Sequence, residues 1–358
     1  MELKNIAVLF GGCSTEYDVS LQSAASVIDH LDRSKYHFIL LGITREGTWL
    51  RYNGSTADIR SDTWHTYDNC IPAFISPCKN ARGIVELSGT EYRTTPVDVA
   101  FPVLHGKNGE DGTVQGLLEL SGIPFVGCDT LSSAICMDKA TAGQLVRAAG
   151  VETAASVTAF AGDDLDPAIR EAEKLGFPLY VKPSRSGSSF GITKAYDKQA
   201  LRNGIQAAFS HDRKVVIEQN VTGFEVGCAV LGYSEPVIAA IDEIELTGEF
   251  FDYEEKYSLR TSNIHLPARI EPGTADRIKA AARLIYKTLG CRGLARVDMF
   301  LTEEGRIVFN EVNTMPGFTA ASRYPNMMRY SGISYPQLMD RLISLAAAKE
   351  EANHETRC

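Results

Sequence analysis

Two short segments late in the chain carry the side chains best suited to chemistry. Arg296-Val297-Asp298 and Glu311-Val312-Asn313 each place two polar residues two positions apart, beside apolar Met299, Phe300, Ile307, Val308 and Phe309. Side chains alternate along a strand, so Arg296 shares a face with Asp298, and Glu311 with Asn313. A hairpin closed at Glu304-Gly305 can bring the two faces together. Two carboxylates and an amide oxygen are hard ligands, the set that Mg²⁺ takes alongside phosphate oxygens. Arg296 would then neutralise a phosphoryl charge. The alternative is a solvated sheet edge, against which the apolar neighbours argue.

A second signal is Lys182-Pro183, which ends an apolar strand ahead of Ser184-Arg185-Ser186-Gly187-Ser188-Ser189-Phe190-Gly191. Lysine meets a phosphate as a point charge, and successive Gly and Ser amides can wrap its oxygens. Neither GxxxxGK[ST] nor GxGxxG occurs, and a surface hairpin with an outstretched lysine is the plainer reading. Lys139 opens a helix after Met137-Asp138. Glu218 and Glu225 bracket Gln219 to Phe224, where a carboxylate could accept from ribose hydroxyls or simply face water. Glu16 follows the first glycine pair and could hold an ammonium group or favour a helix N-terminus. His105 opens a glycine-rich loop at a strand end, a place where function concentrates. Around Gly317, the residues Thr319, Ser322 and Arg323 could offer amides and a cation to a carboxylate.

The elements that must position these groups alternate. Asn5–Phe10 and Phe38–Ile43 read as strands around a helix with Leu21, Ala24, Ala25, Ile28 and Leu31 at helical spacing, capped by Ser20. Residues 44–95 read as short strands and irregular loops. Val97–Leu104 and Pro124–Gly127 are strands around a helix from Thr113 to Leu120, a mostly parallel sheet. Residues 131–222 predict a small lobe with helices at 139–149 and 197–210 and strands at 178–183 and 215–219. Residues 223–348 predict strands at 225–231, 236–241, 294–301 and 306–313 and helices capped by Thr274 and near Tyr335. Residues 242–266 suggest a lid, and 349–358 a frayed polar tail. The fold class is α/β joined to α+β, with domains at 1–130, 131–222 and 223–348.

With 358 residues the chain exceeds one core, and a 44% apolar, 23% charged composition fits a folded protein. A formal charge of −9 speaks against nucleic acid as partner. No run approaches a membrane span or a signal peptide, so no membrane insertion is expected. The eight cysteines come no closer than eight residues apart, which removes a structural zinc motif and points to a reducing cytoplasm.

Gly11-Gly12-Cys13-Ser14-Thr15-Glu16 with Val19-Ser20-Leu21, His105-Gly106 through Glu110-Asp111-Gly112-Thr113, Met137-Asp138-Lys139, Lys182-Pro183-Ser184-Arg185 with Gly187-Ser188-Ser189, and Asn310–Thr314 with Pro316-Gly317 together resemble the D-alanine–D-alanine ligase family. The resemblance runs from about residue 4 to 345 and is strongest to its VanG-type D-alanine–D-serine branch. It implies an ATP-grasp fold with an N-terminal Rossmann-like domain, a homodimer, and ATP-dependent joining of D-alanine to a second D-amino acid for peptidoglycan precursors, through a D-alanyl phosphate. It further implies ATP held by Lys139, Lys182, Glu218, Glu225 and Lys256, with Ser188 and Ser189 over the phosphates. Two Mg²⁺, or Mn²⁺, would bind Asp298, Glu311 and Asn313. Glu16 would hold the D-alanine ammonium group, oriented by Ser188 and Tyr257, with His105 near the carboxylate and Val19 beside it. Arg296 and the Gly317 amide would face the reacting carboxyl group. Asp242, Phe251, Ser322 and Arg323 would lie toward the second substrate, where Phe251 and Arg323 depart from the D-alanine–D-alanine pattern, as Asp242 marks the D-serine branch. D-Serine is therefore the expected acceptor, D-alanine the alternative, and an ATP-binding sensor without turnover the non-enzyme alternative.

Overall fold

A computed structural model describes residues 3–66, 69–187, 190–246 and 262–355. The chain begins with β1 (Lys4–Gly11), α1 (Tyr17–His30), β2 (Tyr36–Ile43), β3 (Trp49–Tyr52), α2 (Thr56–Arg60), β4 (Cys70–Ile75), β5 (Gly83–Ser88), β6 (Glu91–Pro96), β7 (Val99–Pro102) and α3 (Thr113–Ser121). Its sheet has the order β6-β5-β4-β3-β2-β1-β7. The β1 strand runs parallel to both β2 and β7 and is buried on both faces from Ile6 to Phe10, as a continuous apolar run requires. The ambiguous stretch 44–95 extends this sheet by antiparallel strands.

Next come α4 (Thr130–Met137), α5 (Lys139–Ala148), β8 (Glu152–Thr153), β9 (Ser156–Phe160), α6 (Leu165–Glu173), β10 (Leu179–Pro183), β11 (Thr193–Ala195), α7 (Lys198–Ala208) and β12 (Lys214–Gln219). A four-stranded sheet of order β11-β10-β12-β9 packs α6 and α7 over its own core, which includes Ile169, Val181, Leu201 and Ile217. The β8 strand instead pairs with the third sheet, and Cys136, Ala142 and Val146 join that sheet's core. So the stretch around 130–153 shares its apolar core with the C-terminal region beyond residue 223, while polar bonds from Asp138 and Lys139 tie it to the small lobe.

The chain continues through β13 (Phe224–Gly232), β14 (Val237–Leu246), β15 (Ser262–His265), α8 (Pro272–Thr288), β16 (Gly293–Leu301), β17 (Ile307–Asn313), α9 (Arg323–Tyr330) and α10 (Tyr335–Glu355). The third sheet has the order β15-β14-β13-β16-β17-β8. One apolar core runs from Val8 and Phe101 in the first sheet to Phe318, Tyr324 and Leu338, so the N- and C-terminal regions are welded together while the four-stranded lobe keeps its own core.

Several expectations need correction. The first helix starts at Tyr17 with Glu16 at its cap, and Ser20 lies inside it, where its Oγ accepts from the Gly11 N–H at 2.9 Å. Residues 124–127 make only a bridge, Ala100 to Phe125. The helix assigned to a Thr274 cap begins at Pro272 behind Glu271, because proline at the first helical position needs no hydrogen bond from its nitrogen. Both ends of the expected 242–266 lid are sheet: β14 runs on to Leu246, and β15 returns antiparallel to it. The last helix continues to Glu355, so residues 349–355 are helical rather than frayed.

Candidate active site

The hairpin of β16 and β17 forms as its alternation predicts. Arg296 pairs with Asn313 and Asp298 with Glu311, and one extra residue on β17, Asn310, then shifts the register. The adjoining strand β13 aligns Gly227 with Asp298 on one side and with Asp242 of β14 on the other. Asp242, Gly227, Asp298 and Glu311 therefore form one row across four strands. The glycine has a steric reason: a Cβ there would stand 2.4 Å from Arg323 Nη2 and 2.5 Å from Asp242 Oδ1.

Arg323 fills the space over Gly227. Its Nε and Nη2 donate to the two Asp242 oxygens, each at 2.8 Å, and its Nη1 donates to Glu225 at 2.9 Å. Asp298, 1% exposed, accepts from Arg296 Nε and Nη2 at 2.9 and 2.7 Å and from Asn313 Nδ2 at 2.9 Å, with Arg323 at 3.6 Å. Burial works against the charged forms of Arg296 and Arg323, but the surrounding carboxylates hold both guanidinium groups above the ordinary arginine pKa.

Opposite stands the four-stranded lobe. Lys182 closes β10, and its Nζ lies 2.6 Å from Glu218 on β12, the strand that pairs with β10. Burial opposes its charge, yet Glu218 and Glu311 keep its pKa above the usual lysine value. Lys139 is placed by a capped helix start. Asp138 accepts from the Thr141 N–H at 3.0 Å and from Lys214 at 2.8 Å, and Lys139 Nζ then reaches Glu311 at 3.2 Å and the Ser186 carbonyl at 2.9 Å. Between the walls lies a cleft of about 650 Å³ lined by Lys139, Lys182, Glu218 and Glu225, with Tyr180, Ile192, Phe224, Phe300 and Phe309 supplying apolar surface. Its size and mixed lining suit a nucleotide.

The third corner comes from the first sheet. Glu16 is 7% exposed, and a Cβ on either Gly106 or Gly187 would fall 2.6 Å from its Oε2, so two glycine-bearing loops close on this carboxylate. Val19 is buried on the following helix. His105, expected near the first substrate's carboxylate, has both ring nitrogens bonded within the protein. Its Nδ1 donates to the Met315 carbonyl at 2.8 Å, and its Nε2 accepts from Ser23 Oγ at 3.1 Å. Burial pushes its pKa down, consistent with a neutral ring. Beyond Gly317, Ser322 Oγ bonds the Thr319 hydroxyl at 2.8 Å and precedes α9.

Thus Arg296, Asp298, Glu311, Asn313, Asp242, Arg323 and Glu225 share one sheet face, with Lys139, Lys182 and Glu218 across the cleft. Glu218 and Glu225 both line the cleft, the first beside Lys182 and the second beside Arg323. Ser188, Ser189, Phe251, Lys256 and Tyr257 lie outside the described residues. Sequence reading missed Gly227, which only a strand register reveals, and Glu110, whose glycine-rich loop was its one signal. Among the described residues, no three His, Cys, Asp or Glu side chains converge on a metal-sized point. The donors on offer are the carboxylates of Asp298 and Glu311 with the Asn313 amide, and Mg²⁺, which keeps several non-protein oxygens, fits so sparse a set. Also among the described residues, seven cysteines are free thiols and no helix is long and apolar enough to cross a membrane.

A four-stranded antiparallel lobe facing a six-stranded sheet over a nucleotide-sized cleft, behind a Rossmann-like first sheet, is the ATP-grasp architecture. Residues 5–128 match the D-ala D-ala ligase N-terminus family and residues 145–344 the D-ala D-ala ligase C-terminus family. The chain belongs to the D-alanine–D-alanine ligase family and is an ATP-dependent ligase. It is 46% identical over 349 residues to a D-alanine–D-alanine ligase of Caldicellulosiruptor bescii, covering 96% of this chain and 95% of that one. It is 47% identical over 346 residues to the vancomycin/teicoplanin A-type resistance protein VanA of Enterococcus faecium, covering 95% and 98%. The crystal structure of the VanG D-Ala:D-Ser ligase from Enterococcus faecalis superposes with a TM-score of 0.90 at 52% identity, covering 96% of this chain and all of that one.

Proposed function

We propose that this ligase joins D-alanine to D-serine for peptidoglycan precursors. The observation that carries the reading is Arg323, buried over Gly227 and fixed by both oxygens of Asp242. A guanidinium and a carboxylate locked at this end of the row give an acceptor pocket polar groups where a hydroxyl can be recognised, and such a pocket penalises a substrate that lacks one. The likeness to the structure of a D-Ala:D-Ser ligase supports the same choice. A D-alanine acceptor is the second reading, favoured by the 46% identity to a protein named D-alanine–D-alanine ligase.

In this reading Glu16 holds the D-alanine ammonium group in its corner of buried loops. Lys182 and Lys139 face the nucleotide phosphates, and Arg296 neutralises charge as the D-alanine carboxylate takes up the γ-phosphoryl group, the β–γ phosphoanhydride bond breaks and ADP leaves. Asp298, Glu311 and Asn313 would hold Mg²⁺, which supplies charge neutralisation on the phosphate oxygens when bound. The second amino acid's amine then attacks the acyl carbon of the D-alanyl phosphate. Arg296 and the Gly317 amide hold the oxyanion, and phosphate leaves. Residues 247–261, Lys256 and Tyr257 among them, would close over the acyl phosphate, and the enzyme would work as a cytoplasmic homodimer.

The deciding measurement is phosphate release with ATP, Mg²⁺ and D-alanine, with D-serine and D-alanine as competing acceptors. D-Serine should have the higher kcat/KM near neutral pH, and Arg323→Leu should move preference toward D-alanine. Equal or better use of D-alanine by the wild type overturns the D-serine assignment, and ATP binding without phosphate release overturns the catalytic one.

A further inference from the structure

Four backbone groups between Met315 and Ala320 are bonded to side chains from the first third of the chain. Glu110 Oε1 accepts from the Met315 N–H at 2.9 Å, while its Oε2 accepts from the Gly106 N–H at 2.8 Å. His105 Nδ1 donates to the Met315 carbonyl at 2.8 Å. Ser23 Oγ donates to His105 Nε2 at 3.1 Å and accepts from the Phe318 N–H at 3.2 Å. One turn further along α1, Ser26 Oγ accepts from the Ala320 N–H at 3.2 Å. These side chains do not touch the nucleotide cleft, yet they frame Pro316-Gly317 from both sides.

We infer that Glu110 and His105 are positioning residues for the ligation, gripping both backbone polar groups of Met315 and thereby fixing the turn that presents the Gly317 amide. The inference rests on reading that amide as a donor to the reacting carboxyl group. Backbone donors stabilise a developing oxyanion only when held in place beforehand, and a displacement of about 1 Å can cost roughly 10²-fold in rate. Proline at 316 offers no N–H for a local turn bond, and the hold on the turn comes from these distant side chains. A carboxyl group suits the task because each of its two oxygens can accept an N–H, one from its own loop and one from the partner turn. The histidine completes the grip, with its donor on the carbonyl and its acceptor on a serine that also reaches Phe318. With both nitrogens occupied, His105 acts through the turn, not on the substrate.

The test uses the full chain with Glu110→Gln, His105→Asn, His105→Ala and, as a control at the exposed tip of the same loop, Lys107→Ala. Glutamine must turn its NH₂ toward one of two N–H donors and loses one bond. Asparagine can place an amide nitrogen near the Nδ1 position and keep the Met315 bond, which alanine cannot. Hydrogen exchange in a peptide covering 314–320 should quicken about tenfold in Glu110→Gln and His105→Ala and stay near wild type in His105→Asn and Lys107→Ala. Ligation by the first two should lose roughly 10²-fold in kcat, with KM for ATP and D-alanine within about twofold, and His105→Asn should recover most of the loss. The double variant His105→Ala/Glu110→Gln should lose little more than either alone, since both act on one residue. Unchanged exchange, or a loss carried by KM for D-alanine, overturns the inference. The exchange result stands whether or not the Gly317 amide serves the reacting carboxyl group, so failure of the functional reading and failure of the clamp are told apart.

Discussion

On the four-stranded wall of the cleft, Lys182 meets one carboxylate, Glu218, at 2.6 Å, and both side chains border open space. On the six-stranded wall, Asp298 is held by Arg296, Asn313 and the neighbouring Arg323, which is itself fixed by Asp242 and Glu225. The first arrangement is a single point-charge contact that a phosphate can replace. The second is a planar, multidentate lattice in which no member moves alone. The wall that must admit and release a nucleotide is loosely tied, and the wall that must keep its geometry through the chemistry is over-determined.

Three substitutions would break or sharpen that contrast. Asp298→Ala strands the buried Arg296 guanidinium, so unfolding by denaturant should show a loss of about 3–5 kcal/mol, and ligation should vanish with it. Full stability in that variant would mean that the lattice is not a unit. Lys182→Met should behave oppositely. Glu218 borders the cleft and can be rehydrated, so the melting temperature should move little, while kcat/KM for ATP falls roughly 10²–10³-fold. Gly227→Ala drives a methyl into the Arg323 site at 2.4 Å from Nη2, and competition assays should show the preference for D-serine over D-alanine shrinking about tenfold or more. A preserved preference would free Arg323 from any part in acceptor choice.

The last test concerns pH. Burial, with the charge of Glu16 nearby, pushes the Glu110 carboxyl up to about 8 from an ordinary 4.5. Its pKa is higher folded than unfolded, so its contribution to stability is complete below 4.5 and is lost as pH rises through about 8. Denaturation midpoints across that window should decline in the wild type and flatten in Glu110→Gln. An identical slope in both would assign the decline to other groups.

The pairing of Asp298 with Glu311 was legible because strand alternation and one turn suffice to specify a hairpin. The Lys182 strand and its Gly/Ser loop were legible for similar local reasons. Asp242 entered the sequence reading only through family likeness, because placing it beside Asp298 requires knowing that β13 lies between them with a glycine at the crossing. Glu110 was harder still, since its partner Met315 is 205 residues away and nothing local distinguishes it from a loop acid. Helix starts failed where a residue with cap chemistry, Ser20 or Thr274, lay just inside a start fixed by other contacts. His105 was singled out for its place in a glycine-rich loop, but what its nitrogens face is set by a turn from the far end of the chain.

The shared core from Val8 to Leu338 bears on how a finished dipeptide escapes. With the first and last thirds of the protein fused by apolar contact and stitched at Met315, the corner around Glu16 and His105 belongs to that fused block. The four-stranded lobe keeps a separate interior and is the part expected to swing. Turnover would then be paced by that lobe lifting off a stationary floor, and a crosslink between lobe and floor should trap product without disturbing the donor site.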